Sequence, residues 1–245
     1  MSSGPIIISV DGNIGSGKST IVEYLKNNIY KVNHKKLKIY FLEEPVNVWE
    51  SIIDKNDVKN IIEKFYENNE KYAFTFQMIA YISRLSLLKK IIKKDYDIII
   101  TERSIFTDRN VFAQMLYDSG KINEIEFITY NKWFDEFSEI VESLKYIYIK
   151  TTPEVSKFRV DHRSRKGETI SLDYLKTCHE YHEKWLNNIN FNSILVIDGN
   201  QDNNSINQFI IMERINNYIN YLIKYNNMLE YRNSLTNYDI NEILL

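Results

Sequence analysis

Short apolar runs and longer amphipathic stretches alternate along the chain. Residues 6–10, Ile-Ile-Ile-Ser-Val, form the first run and read as a buried strand. From about residue 18 to 28, Ile21, Val22 and Leu25 recur at helical spacing, with Ile29 on the same face. Residues 38–43 read as a second strand, and Pro45 blocks its continuation. Residues 47–70 read as two short helices with polar breaks at Lys55-Asn56 and Asn68-Asn69. A long helix is predicted over about 71–94, where Phe74, Met78, Ile82, Leu85 and Leu88 repeat. Residues 97–101 form a third strand, apolar enough to be buried on both faces. Helices follow at about 107–118 and 122–142, then a fourth strand at 144–149. Pro153 suits the first turn of the next helix. A helix at 171–189, a fifth strand at 193–198 and a helix at about 205–223 complete the pattern. The tail at 225–245 has no strong periodicity, although Ile240, Ile243 and Leu244 could pack.

Strands alternating with helices predict an α/β fold: a five-stranded parallel sheet with right-handed crossovers, flanked by helices. One domain is expected over residues 1–224. In such sheets ligands bind beyond the carboxyl ends of the strands. The chemistry is therefore expected just after residues 10, 42, 101, 149 and 198.

After the first strand comes Gly12-Asn13-Ile14-Gly15-Ser16-Gly17-Lys18-Ser19-Thr20, a Gly-x-x-x-x-Gly-Lys-Ser loop between strand and helix. Successive backbone N–H groups in such a loop form an anion-binding nest, and the helix that follows aims its positive end at the same spot. Lys18 supplies a full charge for the β- and γ-phosphates of ATP, and the Ser19 hydroxyl is the expected Mg²⁺ ligand. After the second strand come Glu43 and Glu44, and after the third Glu102-Arg103-Ser104. Carboxylates at that mouth can ligate Mg²⁺ or take a proton from an attacking hydroxyl. Arg103 places a cation where charge develops in phosphoryl transfer. Arg159 and Arg163 lie one helical turn apart and Arg165 follows, which predicts an arginine-bearing lid at about 159–170 that closes on the triphosphate.

The remaining composition narrows the class. Formal net charge is −2, which argues against a general nucleic-acid or membrane-surface binder. A single cysteine, Cys178, excludes an internal disulfide framework and fits a reducing compartment. There is no run of about 18 apolar residues, and five residues precede the first strand. A cytoplasmic location is expected. No internal repeat is evident.

These residues resemble the deoxynucleoside kinases, in the eukaryotic and viral group that includes deoxycytidine, deoxyguanosine and mitochondrial-type thymidine kinases. The resemblance covers roughly residues 6–200. Its pieces are Asp11 through Thr20, then Glu44-Pro45-Val46 with Trp49, and Tyr72-Ala73-Phe74-Thr75-Phe76-Gln77 with Arg84. Glu102-Arg103-Ser104 through Asp108-Arg109, Arg163-Ser164-Arg165 with Glu168, and Tyr174-Leu175 follow in order. The phosphate loop is shared by many families, whereas the Phe-Gln helix and the Glu-Arg-Ser strand end are more selective.

The resemblance implies phosphorylation of a deoxynucleoside 5′-hydroxyl by ATP with Mg²⁺, giving the monophosphate for nucleotide salvage. It implies that Glu44 accepts the hydroxyl proton and that Arg103 holds the hydroxyl and the incoming phosphoryl group. Glu102 would be a Mg²⁺-associated carboxylate or, instead, the proton acceptor. Tyr66 and Glu168 would hold the sugar 3′-hydroxyl. Gln77 would contact the base edge, and Trp49, Ile62, Phe76 and Phe112 would wall the base, with Ile14, Val46 and Phe65 in the same substrate set. Ala80, Arg84 and Asp108 resemble the trio of the deoxycytidine and purine branch, which implies deoxyadenosine, deoxyguanosine or deoxycytidine ahead of thymidine. Asp202 loosely matches an adenine-contacting loop. The family further suggests a homodimer built on helices near 71–94 and 107–142. Two departures stand out: Gly167 replaces a second acid, and the lid is one residue shorter after it.

A nucleoside monophosphate kinase of the thymidylate type is the alternative. It would need cations for the acceptor phosphate near the second strand, where this chain carries Glu43 and Glu44. A GTPase-type switch would need Asn-Lys-x-Asp, but Asn131-Lys132-Trp133-Phe134 lacks the acid.

Overall fold

The computed structural model describes residues 4–28, 37–138, 144–163, 169–201 and 205–243; of residues 205 and 228–243 it describes the backbone alone. Five strands form the main sheet: β1 (Ile6–Asp11), β2 (Ile39–Leu42), β5 (Ile98–Glu102), β6 (Lys145–Lys150) and β7 (Ile194–Asp198). Their order is β2-β5-β1-β6-β7, and every pairing is parallel. Parallel neighbours need long crossovers, and helices supply them. β3 (Ile53–Asp54) and β4 (Lys59–Asn60) make a separate antiparallel hairpin.

β5 is buried along its whole length, as its apolar run requires, and its side chains alternate between the two faces. Ile99 packs with Tyr81, Leu85, Leu88, Tyr130 and Phe134 on one face. Those side chains come from α4 (Asn69–Ile92) and α7 (Glu124–Ser138). Ile98 and Ile100 face the other way, onto Val22 and Leu25 of α1 (Lys18–Asn28) and Ile215 and Ile219 of α10 (Ser205–Ile243). Two helical layers thus sandwich the sheet, and the strand ends remain open to carry the site.

Between β2 and α4 the sequence pattern suggested two helices. Both form, as α2 (Val46–Glu50) and α3 (Ile61–Glu67), with the hairpin between them. At its tip Val58 takes φ 59°. Asn60 ends the hairpin and caps α3, accepting from the Glu63 N–H while the Glu63 carboxylate accepts from the Asn60 N–H. The expected helix at 107–118 is three pieces: α5 (Ile105–Thr107), a π-helical segment (Asp108–Ala113) and α6 (Gln114–Asp118). Such π segments cluster at functional sites. α8 (Pro153–Arg163) and α9 (Leu172–Leu186) follow β6. The last helix does not stop near 223 but continues to Ile243. Among the described residues no helix is long and apolar enough to cross a membrane.

Gly12 fixes the turn out of β1. Its φ is +151°, and a Cβ there would lie 2.6 Å from the Ile149 carbonyl oxygen of β6. A side chain must therefore push the loop away from the sheet. Gly12→Ala is expected to cost about 1–3 kcal/mol of stability, read by urea denaturation, together with a loss of nucleotide affinity.

Candidate active site at the carboxyl edge of the sheet

The ends of β1, β2, β5, β6 and β7 open into one cavity of about 560 Å³. Every residue from Ile14 to Thr20 lines it. Gly12 and Asn13, the first two residues of the loop, do not line the cavity. Asn13 Nδ2 donates to the Leu175 carbonyl at 2.8 Å, which ties the loop to α9. Thr151, just past β6, donates from Oγ1 to the Ser16 carbonyl at 3.2 Å. Lys18 is buried, and its Nζ donates to the Asn13 carbonyl at 2.7 Å. Burial, then the nearby Arg103 guanidinium, lowers its pKa to about 7 against the pull of Glu102, Glu44 and Asp11.

Ser19 Oγ donates to Glu102 Oε1 at 2.7 Å. Two oxygen donors therefore adjoin at the phosphate end, a hard set that fits Mg²⁺, which takes few protein ligands and completes its shell with phosphates and water. Among the described residues there is no cluster of three His, Cys, Asp or Glu side chains able to hold a metal by themselves.

A buried charge cluster occupies the other side. Glu44 Oε1 accepts from Arg103 Nη1 at 2.8 Å and from Arg84 Nη2 at 3.2 Å. Arg84 also donates from Nε to Asp108 Oδ2 at 2.9 Å and from Nη1 to the Glu102 carbonyl at 2.7 Å. Burial alone would raise the Glu44 pKa, but Arg103, Arg84 and Lys18 more than offset it and hold it at about 2. Glu44 is thus ionised throughout the working range. Arg103 carries two surprises. Its backbone is left-handed, φ 61°, at the end of β5. Its Nε and Nη2 are buried with no hydrogen-bond partner among the described residues. The guanidinium lies 5.2 Å from the centre of the Phe112 ring.

Aromatic side chains form the distal wall. Trp49 meets Phe76 edge-on at 5.5 Å, and Phe76 lies 4.9 Å from Phe65, which meets Tyr66 at 5.4 Å. Trp49 is anchored by its Nε1, which donates to Ser83 Oγ at 2.9 Å. Ile62 and Ala80 complete this end. Gln77 Oε1 is buried and has no partner among the described residues. Val46, expected in the substrate set, does not line the cavity; it packs against the cluster of Trp49, Ile61 and Ala80.

Arg159 and Arg163 of α8 reach the phosphate end. Arg159 Nη1 donates to the Gly199 carbonyl at 2.8 Å and the Ser16 carbonyl at 3.3 Å, and Nη2 donates to the Gln201 carbonyl at 3.2 Å. Arg165, Glu168 and Asp202 lie outside the described residues. The cavity also holds residues that sequence reasoning left out. Tyr174 of α9, quoted above as part of the resemblance but given no role, is one, its hydroxyl pKa pushed well up by burial. Gly199, Asn207, Gln208 and Ile211 are others. The strand-end rule pointed at residue 199, but no local pattern marked the first turns of α10.

Comparison with known proteins gives a consistent picture. A family model described as deoxynucleoside kinase matches residues 8–220. A probable deoxycytidine kinase of fowlpox virus is 34% identical over 226 residues, 88% of each chain. Deoxycytidine kinase 2 of Gallus gallus is 32% identical, covering 86% of this chain and 89% of its own. Human deoxycytidine kinase is 34% identical over 200 residues, 73% of this chain and 74% of its own.

The lowered Lys18 pKa has a calorimetric consequence. At about pH 8 the amine is mostly neutral, since its folded pKa of about 7 lies below that pH. A bound triphosphate favours the charged form. Nucleotide binding should therefore take up nearly one proton, seen as a dependence of the binding enthalpy on buffer ionisation enthalpy. Lys18→Arg, which stays charged, should remove most of that dependence.

Proposed function

Because this chain belongs to the deoxynucleoside kinase family, we propose a site-by-site account of how it phosphorylates its substrate and which bases it takes. As a deoxynucleoside kinase it uses ATP as phosphoryl donor and a deoxynucleoside as acceptor. The observation that carries the account is the position of Glu44. It is held by Arg84 and Arg103 in a cavity that the phosphate loop also lines.

The donor triphosphate lies along Gly12–Thr20, with Lys18 on its β- and γ-phosphates. Ser19 and Glu102 would hold Mg²⁺, which when bound neutralises charge on the phosphate oxygens. The deoxynucleoside enters from the aromatic end, and its 5′-hydroxyl reaches Glu44. The hydroxyl oxygen forms the new bond to the γ-phosphorus as the bond to the departing ADP breaks, and its proton passes to Glu44. A carboxylate with a pKa near 2 is a weak base. That suffices where the transition state is loose and the hydroxyl loses its proton late. Glu102, whose carboxylate already accepts from Ser19, is assigned to the metal rather than the proton. The unpartnered Nε and Nη2 of Arg103 are donors for the oxygens that gain charge during transfer. By the resemblance, Arg159, Arg163 and Arg165 would close on the phosphates as a lid, Tyr66 and Glu168 would hold the 3′-hydroxyl, and Asp202 would contact the adenine.

For the base, Trp49, Ile62, Phe65, Phe76 and Phe112 supply apolar contact. Gln77 offers a buried acceptor without a partner, suited to an exocyclic amine. Arg84 and Asp108, locked as a pair beside Ala80, leave polar groups where a thymine methyl would need apolar space. This supports deoxyadenosine, deoxyguanosine or deoxycytidine over thymidine. The relatives are named deoxycytidine kinases, with a mitochondrial deoxyguanosine kinase of Xenopus laevis 32% identical. A homodimer through α4 and α7 is supported by a groove between them, lined by Ile82, Leu85, Trp133 and Phe137 together with Lys89, Lys90 and Lys93. The catalytic domain is taken as residues 1–224.

Glu44→Gln should lower kcat by about 10²–10⁴-fold while deoxynucleoside binding survives, as measured by steady-state kinetics and fluorescence titration; near-normal turnover would refute the assignment. In a panel of four deoxynucleosides with ATP, thymidine should give the lowest kcat/KM. Thymidine as best substrate would overturn the reading of Arg84 and Asp108.

A further inference from the structure

Arg103 must be aimed from a backbone that resists its shape. A non-glycine residue at φ 61° carries a strain of about 1–3 kcal/mol and persists only where its surroundings over-determine it. Several contacts do so. The Arg103 N–H donates to the Val10 carbonyl at 3.0 Å, and Thr101 Oγ1 donates to the Arg103 carbonyl at 2.7 Å. Arg84 holds the Glu102 carbonyl just before the turn. Just after it, Ser104 and Thr107 cap each other. The Thr107 N–H donates to Ser104 Oγ at 3.3 Å, and the Ser104 N–H donates to Thr107 Oγ1 at 3.1 Å.

That cap is tied in turn to a carboxylate that the catalytic account does not use. Thr107 Oγ1 donates its proton to Asp11 Oδ1, and Ser9 Oγ donates to Asp11 Oδ2 at 2.5 Å. Asp11 and Thr107 are wholly buried. Burial raises the Asp11 pKa, opposed by the two hydroxyls and by Arg103 and Lys18. A buried carboxylate supported by two hydroxyl donors is costly, and a simple core position would be filled better by an apolar side chain. Asp11 also has a particular place. It is the last residue of β1, next to Gly12, so it marks the root of the phosphate loop. Thr107 closes the cap that follows Arg103.

We propose that Asp11 and Thr107 are positioning residues, forming a strut that sets the phosphate loop in register with the Glu102–Arg103 turn. Neither side chain lines the cavity, so neither touches a substrate. The strut links the element that grips the donor to the element that holds the metal carboxylate and the arginine at the acceptor hydroxyl. Its work is alignment, which shows in turnover rather than in binding of either substrate by itself.

This inference rests on the kinase reading, and the test separates the two. Thr107→Val keeps the shape and removes the hydroxyl. It should lower kcat by about tenfold to a hundredfold, with the dissociation constant for ATP within about twofold of the parent protein. Thr107→Ser, which restores the hydroxyl, should recover kcat to within about threefold. Asp11→Ala should match Thr107→Val, and the double variant should be little worse than either, since both remove one link. A parent protein without deoxynucleoside kinase activity would fail the kinase reading. An active parent with an equally active Thr107→Val would overturn the strut by itself. So would a fall in ATP affinity that parallels kcat, or a Thr107→Ser variant that fails to recover. If Thr107→Val does not fold, Thr107→Ala takes its place; failure of both to fold also overturns the proposal, because the link would then be a condition of the fold and not of alignment.

Discussion

Arg84 is the hub on which the acceptor half of the cavity depends. One guanidinium, nearly inaccessible to water, binds the Asp108 carboxylate, the Glu102 carbonyl and the Glu44 carboxylate. These groups come from the π segment, the end of β5 and the stretch after β2, so a single side chain on α4 fixes three elements. Its planar fork makes this possible, and a lysine could not present donors in three fixed directions. The constraint is severe, because breaking a buried ion pair by removing one partner typically costs about 3–5 kcal/mol. Glu44 is held in place by the same network that keeps it ionised.

The parallel sheet converts this local cluster into a site. The register of Val10 with Glu102 and of Asp11 with Tyr148 brings the strand ends level at one edge. The phosphate loop therefore emerges beside the Glu102–Arg103 turn, and the Asp11–Thr107 strut has only the fine alignment of the two left to set. The two apolar layers, one beneath α4 and α7 and one beneath α1 and α10, make that edge rigid.

Much of this was legible in the sequence, for identifiable reasons. The five strands of the sheet stand out because buried parallel strands are continuous apolar runs, and the strand-end rule then leads to Glu44, Glu102 and Arg103 without any structure. What stayed hidden depends on contacts distant in sequence. Nothing around Arg103 announces a left-handed backbone, because two of the contacts that hold it come from Val10 of β1 and Arg84 of α4. The three-way role of Arg84 needs groups 18 to 40 positions away. The β3–β4 hairpin has two-residue strands, too short for alternation to register. Val46 entered the substrate set through the resemblance, yet in α2 it packs against the Trp49–Ile61–Ala80 cluster and does not line the cavity. Tyr174 was singled out in the sequence only as part of the resemblance, and the approach of α9 to the cavity is what puts it in the site.

The pairing of Glu44 with two arginines, one of them shared with Asp108, has an effect at long range. Two carboxylates and two guanidiniums cancel within a few ångströms, so the acceptor half casts little electric field beyond its own walls. An uncharged nucleoside approaching it meets neither steering nor repulsion. Its capture should be governed by diffusion and by the fit of the aromatic walls, and should hardly notice the ionic strength of its surroundings.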